Sequence, residues 1–302
     1  NDAIPHGPTI SVNDGGKKAQ NRTYQDLLKN PTDEANFKSL AKSEIWKVDL
    51  SGKADLWMKA DMYTDIQFSP DGQFAMVQTI HEPFSYLVPY SRFPSTTVIY
   101  DMNAQKVKTM LEVPLIEDLP QGFMAVRTGM RSLRRRTDKA ATLYWAEALD
   151  GGDPEKEVEY RDAVYQQAAP FTEEKQLLLK TKYRYSGVIW GSDNVAISYD
   201  YWWNTRQIRT VMFNPSDTDA GEILFDERNY QDKYSDPGDF VTKRNQFDKA
   251  ILDLNGDQLY LLGEGFSEDG KFPYVDSYNY KTQEKERLYQ TTAEDELESF
   301  VV

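Results

Sequence analysis

The sequence predicts an all-β fold: a partial β-propeller of about four to five four-stranded blades behind a short extended and helical N-terminal segment. Three observations carry this. From Ser43 onward, apolar residues recur with a period of two. Turn-forming residues interrupt these runs at short intervals. A four-strand unit of constant internal order then returns at intervals of roughly 54 to 66 residues.

Residues 1–42 form the first region. Asn1–Asn21 is polar, contains Gly and Pro, and reads as extended. Two short helices are expected after it. One carries Tyr24, Leu27 and Leu28 behind a Thr23 cap; the other carries Phe37, Leu40 and Ala41 behind Thr32.

Residues 43–302 form the propeller portion. Ser43–Leu50 puts Trp46, Val48 and Leu50 on one face, and Ser51-Gly52 turns the chain into Asp55–Lys59. The first full unit is Asp65–Phe68, Gln73–Ile80, Thr96–Asp101 and Lys106–Leu111. In its Ser69-Pro70-Asp71-Gly72 turn, Pro presets φ and Gly accepts the positive φ that closes it. The second unit is Arg131–Arg135, Thr142–Glu147, Tyr160–Gln166 and Gln176–Lys180. The third is Tyr185–Trp190, Val195–Asp200, Gln207–Phe213 and Glu222–Phe225. The fourth is Lys249–Leu254, Gln258–Leu262, Pro273–Tyr280 and Glu286–Tyr289, turning on Asn255-Gly256. A β-sandwich or two stacked meanders fit the same strands, but the repeating unit favours the propeller. Ser43–Lys59 reads as the outer half of an earlier blade and Asp295–Val302 as the start of a later one. The chain is therefore expected to be a piece of a ring, with strand edges open to pairing with another copy.

Composition narrows the function. With 19 Tyr, 14 Phe and 6 Trp among 302 residues, the chain is rich in side chains that pack well on pleated surfaces. A net charge of −14 argues against nucleic acid and against anionic lipid as partners. The absence of cysteine removes disulfides, thiolate zinc sites and a Cys nucleophile. No apolar run reaches the length of a membrane span. The chain begins at Asn1, which is compatible with a leader removed upstream.

A catalytic centre is harder to find. A Ser-His-Asp triad needs a histidine base, and only His6 and His81 exist. His6 lies in the extended lead. His81 follows a strand and reads as a loop residue hydrogen-bonded near a blade edge. There is no G-x-S-x-G elbow, no H-E-x-x-H and no phosphate-binding glycine loop. Glu147, Asp150 and Asp153 resemble a hard-cation set but read better as a Gly-rich turn, and Asp253–Asp257 reads as a hairpin. No metal or cofactor is expected. Arg127, Arg131, Arg134, Arg135 and Arg136 crowd one short segment of an acidic chain. They read either as inter-blade ion pairs or as a site for a carboxylate, with Arg127 and Arg131 the substrate-binding candidates. Phe84, Tyr86, Tyr90 and Tyr201-Trp202-Trp203 read as packing or as the lining of a peptide channel.

Three stretches carry a family resemblance. The first is Gly7-Pro8 with Arg22–Lys29. The second is Thr79–Pro89 with Arg92-Phe93-Pro94. The third is Val126–Ser132, with Asp138-Lys139, Thr142–Glu147 and Asp150–Asp153. In this order they resemble the propeller of the glutamyl endopeptidase branch of the prolyl oligopeptidase-type serine peptidases. Arg135 departs from the Trp that the family favours there. The resemblance implies a non-catalytic propeller that restricts access to, and shapes, a peptide-substrate cavity. It also implies an α/β-hydrolase domain, absent from this chain, that holds the triad. The chain alone is then expected to be inactive. A periplasmic location is the expectation drawn from the bacterial members, with a plastid or cytoplasmic setting the alternative. The competing reading is a free-standing propeller that binds a protein or peptide. A carbohydrate-active propeller is a third, and it needs two carboxylates facing one pocket.

Overall fold

A computed structural model describes residues 24–292. His6, Gly7-Pro8, Arg22, the Thr23 cap and the Asp295–Val302 strand lie outside them. The helix expected over Tyr24–Leu28 does not form: the segment is irregular and Asp26 sits at φ 56°. So short a stretch gains too few hydrogen bonds to offset the cost of nucleating a helix. The second helix is present as α1, Pro31–Leu40. Its cap is Asn30 rather than Thr32, with Asn30 Oδ1 accepting from the amides of Thr32 at 2.9 Å and Asp33 at 3.0 Å.

Four four-stranded antiparallel sheets follow, three of them strictly in chain order. Blade 1 is β3 Tyr63–Phe68, β4 Phe74–Ile80, β5 Ser95–Asp101 and β6 Lys106–Val113. Blade 2 is β7 Arg131–Arg135, β8 Thr142–Ala148, β9 Asp162–Ala168 and β10 Gln176–Thr181. Blade 3 is β11 Arg184–Trp190, β12 Ala196–Trp202, β13 Gln207–Phe213 and β14 Glu222–Asn229. Before them stands the hairpin of β1 Ser43–Val48 and β2 Ala54–Asp61. The turn before β4 closes as expected, with the Gly72 amide donating to the Ser69 carbonyl at 2.8 Å and Gly72 at φ 70°.

Blade 4 corrects one expectation. Its first strand is β15 Asp239–Phe240, not Lys249–Leu254. After β15 the chain runs into β16 Thr242–Arg244, which pairs with β17 Ala250–Leu252 in a separate hairpin. The blade resumes with β18 Gln258–Gly263; β19 Phe266–Ser267 and β20 Gly270–Lys271 make a small hairpin, and β21 Tyr274–Asn279 and β22 Lys285–Gln290 complete the sheet. The residues at 249–254 are extended, as their pattern says, but their partner is local. The β16–β17 hairpin reaches back to blade 2. Thr137 Oγ1 donates to the Ala250 carbonyl at 2.9 Å, and Asn245 Nδ2 donates to the Thr137 carbonyl at 2.8 Å. Leu252 seats over Gly191, where a Cβ would lie 2.9 Å from Leu252 Cδ1.

The period of two explains how the sheets stack. Strands covered on both faces read as continuous apolar runs, each residue serving the opposite neighbour from the one before it. On β8, Leu143 packs with Met76, Ile99 and Phe171, while Tyr144 and Ala146 pack with Trp190, Val211 and Phe213. On β12, Ala196 joins that second core, and Ile197 joins a third with Phe240, Leu259 and Leu261. Three cores thus join blades 1 to 2, 2 to 3 and 3 to 4. Sheets stacked face to face in chain order, each a four-stranded meander, are a propeller, and four blades with a half blade before them make it partial.

Candidate functional site

The arginine-rich segment lies at the first strand of blade 2. The structure separates its members. Arg135 turns toward blade 1, donating to the carbonyls of Gln67 at 3.2 Å and Phe74 at 3.4 Å. Burial outweighs the favourable nearby Asp71 and lowers its guanidinium pKa to about 10. Arg136 turns toward blade 3. It pairs with Asp138 through Nε at 3.0 Å and Nη2 at 2.6 Å, and its guanidinium lies 3.9 Å from the Trp190 ring centroid. Arg135 is thus a buried arginine that ties blade 2 to blade 1 through backbone oxygens.

Arg131 belongs to a buried charge network that single-sequence reading did not assemble. It pairs with Asp162, which is fully buried. Arg184, the first residue of β11, grips Asp150 with two bonds, Nη1 to Oδ1 at 2.9 Å and Nη2 to Oδ2 at 2.7 Å. Its Nη1 also donates to Asp162 Oδ1 at 3.2 Å, and its Nε to the Met124 carbonyl at 2.9 Å. Arg161 adds a bond to Asp150 Oδ2 at 3.0 Å and stacks on Trp202 with 4.2 Å to the ring centroid. The amide of Tyr185 donates to Asp162 Oδ2 at 2.7 Å. Burial pushes the Asp150 carboxyl up, but the bonds from Arg184 and Arg161 outweigh it and hold the pKa below the ordinary carboxylate range.

Five charged side chains thus join the 124–130 loop, both ends of the 149–161 loop and the first strand of blade 3. The loops are held as well as charged. Gly152, at φ 78°, has no room for a Cβ against the Val126 carbonyl, and its amide donates to Asp150 Oδ1 at 2.8 Å.

Arg127 stands at the rim of this network. Its donors go to carbonyls of its own loop, Thr128 at 3.1 Å and Met130. No ion pair to it is formed among the described residues. Burial, and then the Arg131 charge, lower its pKa. The sequence candidates therefore split: Arg131 has a carboxylate partner and Arg127 has none.

The remaining candidates are structural in their contacts. His81 Nδ1 lies 3.0 Å from the Glu82 carbonyl oxygen and Nε2 lies 3.2 Å from Thr96 Oγ1, at the edge of blade 1. Glu147 binds Lys175 and Trp145 Nε1, and Asp153 accepts from the Glu155 amide at 3.0 Å. The three carboxylates of the supposed cation set are thus each engaged elsewhere. No group of three His, Asp or Glu able to hold a metal gathers among the described residues. Phe84 packs with Phe37 and Phe93, and Trp202 underlies the network through Arg161. Trp203 and Phe123, 4.4 Å apart, form a partly exposed pair beside it. A cleft of about 710 Å³ opens elsewhere, between blades 3 and 4, lined by Asp226, Tyr234, Asp236, Tyr274, Lys285 and Arg287. Among the described residues no helix is long and apolar enough to cross a membrane.

Sheet order, stacking and the buried network define a propeller segment with no assembled triad among its described residues. No family model matches the chain. Two curated plant proteins do, each named probable glutamyl endopeptidase, chloroplastic. The one from Oryza sativa subsp. japonica is 34% identical over 306 aligned positions, covering 99% of this chain and 33% of its own length. The one from Arabidopsis thaliana is 34% identical, covering 99% of this chain and 32% of its own. The chain thus spans about a third of the length of the curated relatives it matches. Similar solved structures include an acylaminoacyl peptidase (TM-score 0.40, 10% identity, 80% of this chain and 34% of that one). Another is the propeller domain of the Trilobed protease from Pyrococcus furiosus (TM-score 0.40, 11% identity, 75% and 57%). Along nearly its whole length the chain is thus similar to one third of two proteins named as glutamyl endopeptidases.

Proposed function

We propose that this chain is the non-catalytic propeller of a serine peptidase, restricting access to the peptide-substrate cavity and shaping it. The supporting observation is the match along 99% of the chain to one third of proteins named as endopeptidases. On this reading residues 43–302 are the propeller part, residues 1–42 a leading segment, and an α/β-hydrolase domain supplies the triad from outside this chain. The plant relatives are named chloroplastic, which favours a plastid-type setting over the periplasm for that branch.

Arg127 is the proposed contact for an acidic substrate group. Its charge is partly desolvated beside Arg131, so an arriving carboxylate would supply the offset its surroundings lack. Arg131, already paired with Asp162, holds the loop that presents it. In the longer protein, Arg127→Gln is expected to raise KM for a peptide with Glu at the cleavage position by about tenfold, a loss of ~1.4 kcal/mol. The matching Gln peptide should be little affected and kcat preserved. Equal effects on both peptides would remove Arg127 from substrate recognition.

A further inference from the structure

The facing surfaces of blades 2 and 3 carry buried polar groups whose bonding is unmet. Tyr185 and Trp190 lie on β11 and belong to the core that joins the two blades. Ser198 stands on β12 two residues after Ala196, so it shares the face that Ala196 turns to that core. Arg131 is paired in register with Ala146, another member of the same core. The Tyr185 hydroxyl, Trp190 Nε1, Ser198 Oγ and Arg131 Nε are buried and form no well-aligned hydrogen bond with the described residues. Tyr185 and Trp190 are 6% and 1% exposed, so bulk solvent does not serve them. Buried polar groups are nearly always satisfied, because an unmet one has lost its hydration for nothing.

All four groups can donate. Burial raises the Tyr185 pKa, so its hydroxyl keeps its proton. The Tyr144 hydroxyl lies beside both the Tyr185 hydroxyl and Trp190 Nε1, and it too has a proton to place.

The charges around these hydroxyls are also of one sign. Arg134, Arg131 and Arg136 act on them. Arg131 is balanced by Asp162, and Arg136 by Asp138. Arg134 pairs in register with Tyr144 and so shares its face, yet it forms no ion pair among the described residues. Its side chain is exposed, which opens a way in from solvent.

Several unmet donors and one unbalanced cation together ask for an acceptor with a single negative charge. We infer that the junction of blades 2 and 3 binds a small monoanion of the halide class, held by the Tyr185 hydroxyl and Trp190 Nε1 under the charge of Arg134. The apolar surroundings set the class. The Trp190 ring packs against Tyr144 at 5.1 Å and Phe213 at 6.2 Å between centroids. Such a lining penalises a strongly hydrated dianion far more than a weakly hydrated monoanion. The ion is then a structural tie between the first strands of two blades. Peptide recognition at Arg127 plays no part in this inference, and its test does not read it.

The test follows the thermal unfolding midpoint of the 302-residue chain while sodium bromide replaces sodium gluconate at constant ionic strength. The midpoint should rise along a saturating curve, by about 5 °C at a hundredfold excess over the half-saturating concentration. Tyr185→Phe removes an unmet donor and keeps the ring, and Arg134→Gln removes an exposed charge, so both variants should fold. Each should lose the saturating rise. Lys106→Gln, which removes an exposed charge from β6, should keep it. Equal midpoints in bromide and gluconate would overturn the inference, since water alone would then serve these donors. A saturating rise that survives in Tyr185→Phe or Arg134→Gln would overturn it too, by placing the ion elsewhere.

Discussion

Replacing Arg184 with Met is expected to destabilise the chain by about 3–5 kcal/mol, the cost of breaking a buried ion pair from one side. The size follows from what is left behind. Asp150 and Asp162 are 2% and 0% exposed, and Arg184 supplies Asp150 with two short bonds and Asp162 with a third. Arg161 and Arg131 remain, each with a single contact to one carboxylate. Removing one cation therefore takes three of the seven bonds that these two buried anions accept and leaves each with one arginine and one backbone amide. Asp150 should also lose its depressed pKa, so the defect should shrink as that carboxyl protonates in acid. Urea unfolding at neutral and acidic pH measures both. A loss under about 1 kcal/mol would mean that water reaches these carboxylates and screens them. Replacing the whole network with apolar residues is a different experiment, because it leaves no orphaned charge.

Asp200 should do the reverse. It is 1% exposed and sits on β12 inside blade 3. Its Oδ2 accepts from the Tyr183 amide at 2.8 Å, and Arg209 stands off at 3.9 Å. Burial raises its pKa to about 6, against the pull of the Tyr183 amide and of Arg209. The sign is then fixed. Between the unfolded pKa near 4 and the folded pKa near 6, the folded state holds a proton the unfolded state has released, so stability falls as pH rises. The loss is complete above pH 6 and amounts to about 3 kcal/mol. Asn at this position keeps an oxygen for the Tyr183 amide and carries no charge. Asp200→Asn should therefore gain about 2.4 kcal/mol more, relative to the parent, at pH 7.5 than at pH 4, where part of the loss has already occurred. Arg209 remains paired with Glu222 in the variant. The difference between the two pH values isolates the titration from any packing change, and a difference near zero would show that Asp200 is hydrated in the native state.

The strands were legible because two local signals agreed. Period-two hydrophobicity marked β4, β8, β12 and β13, and turn residues such as Ser69–Gly72 marked their ends. What failed was local signal without a local cause. β15 has two residues behind Pro237-Gly238, too short for any period to show, whereas Lys249–Leu254 is a good strand whose partner is its own hairpin. The charge network was illegible for another reason. Its members come from positions 131, 150, 161, 162 and 184, and only stacking blade 2 on blade 3 brings them together. The usable hint was a charged residue at the start of a strand, as with Asp162 on β9 and Arg184 on β11, where solvent exposure is the ordinary expectation. The Arg127–Arg136 cluster was visible as composition. Its division into an anchor to blade 1, an anchor to blade 3, a network member and a rim charge was not.

The central claim is that the propeller frames chemistry performed elsewhere in the polypeptide. A fluorophosphonate probe, which forms a covalent bond with an activated serine, tests it most directly. The longer protein should be labelled at one serine outside residues 1–302, at a rate unchanged by His81→Ala, and the 302-residue chain should remain unlabelled. Labelling of a serine within the 302-residue chain, abolished by His81→Ala, would contradict it.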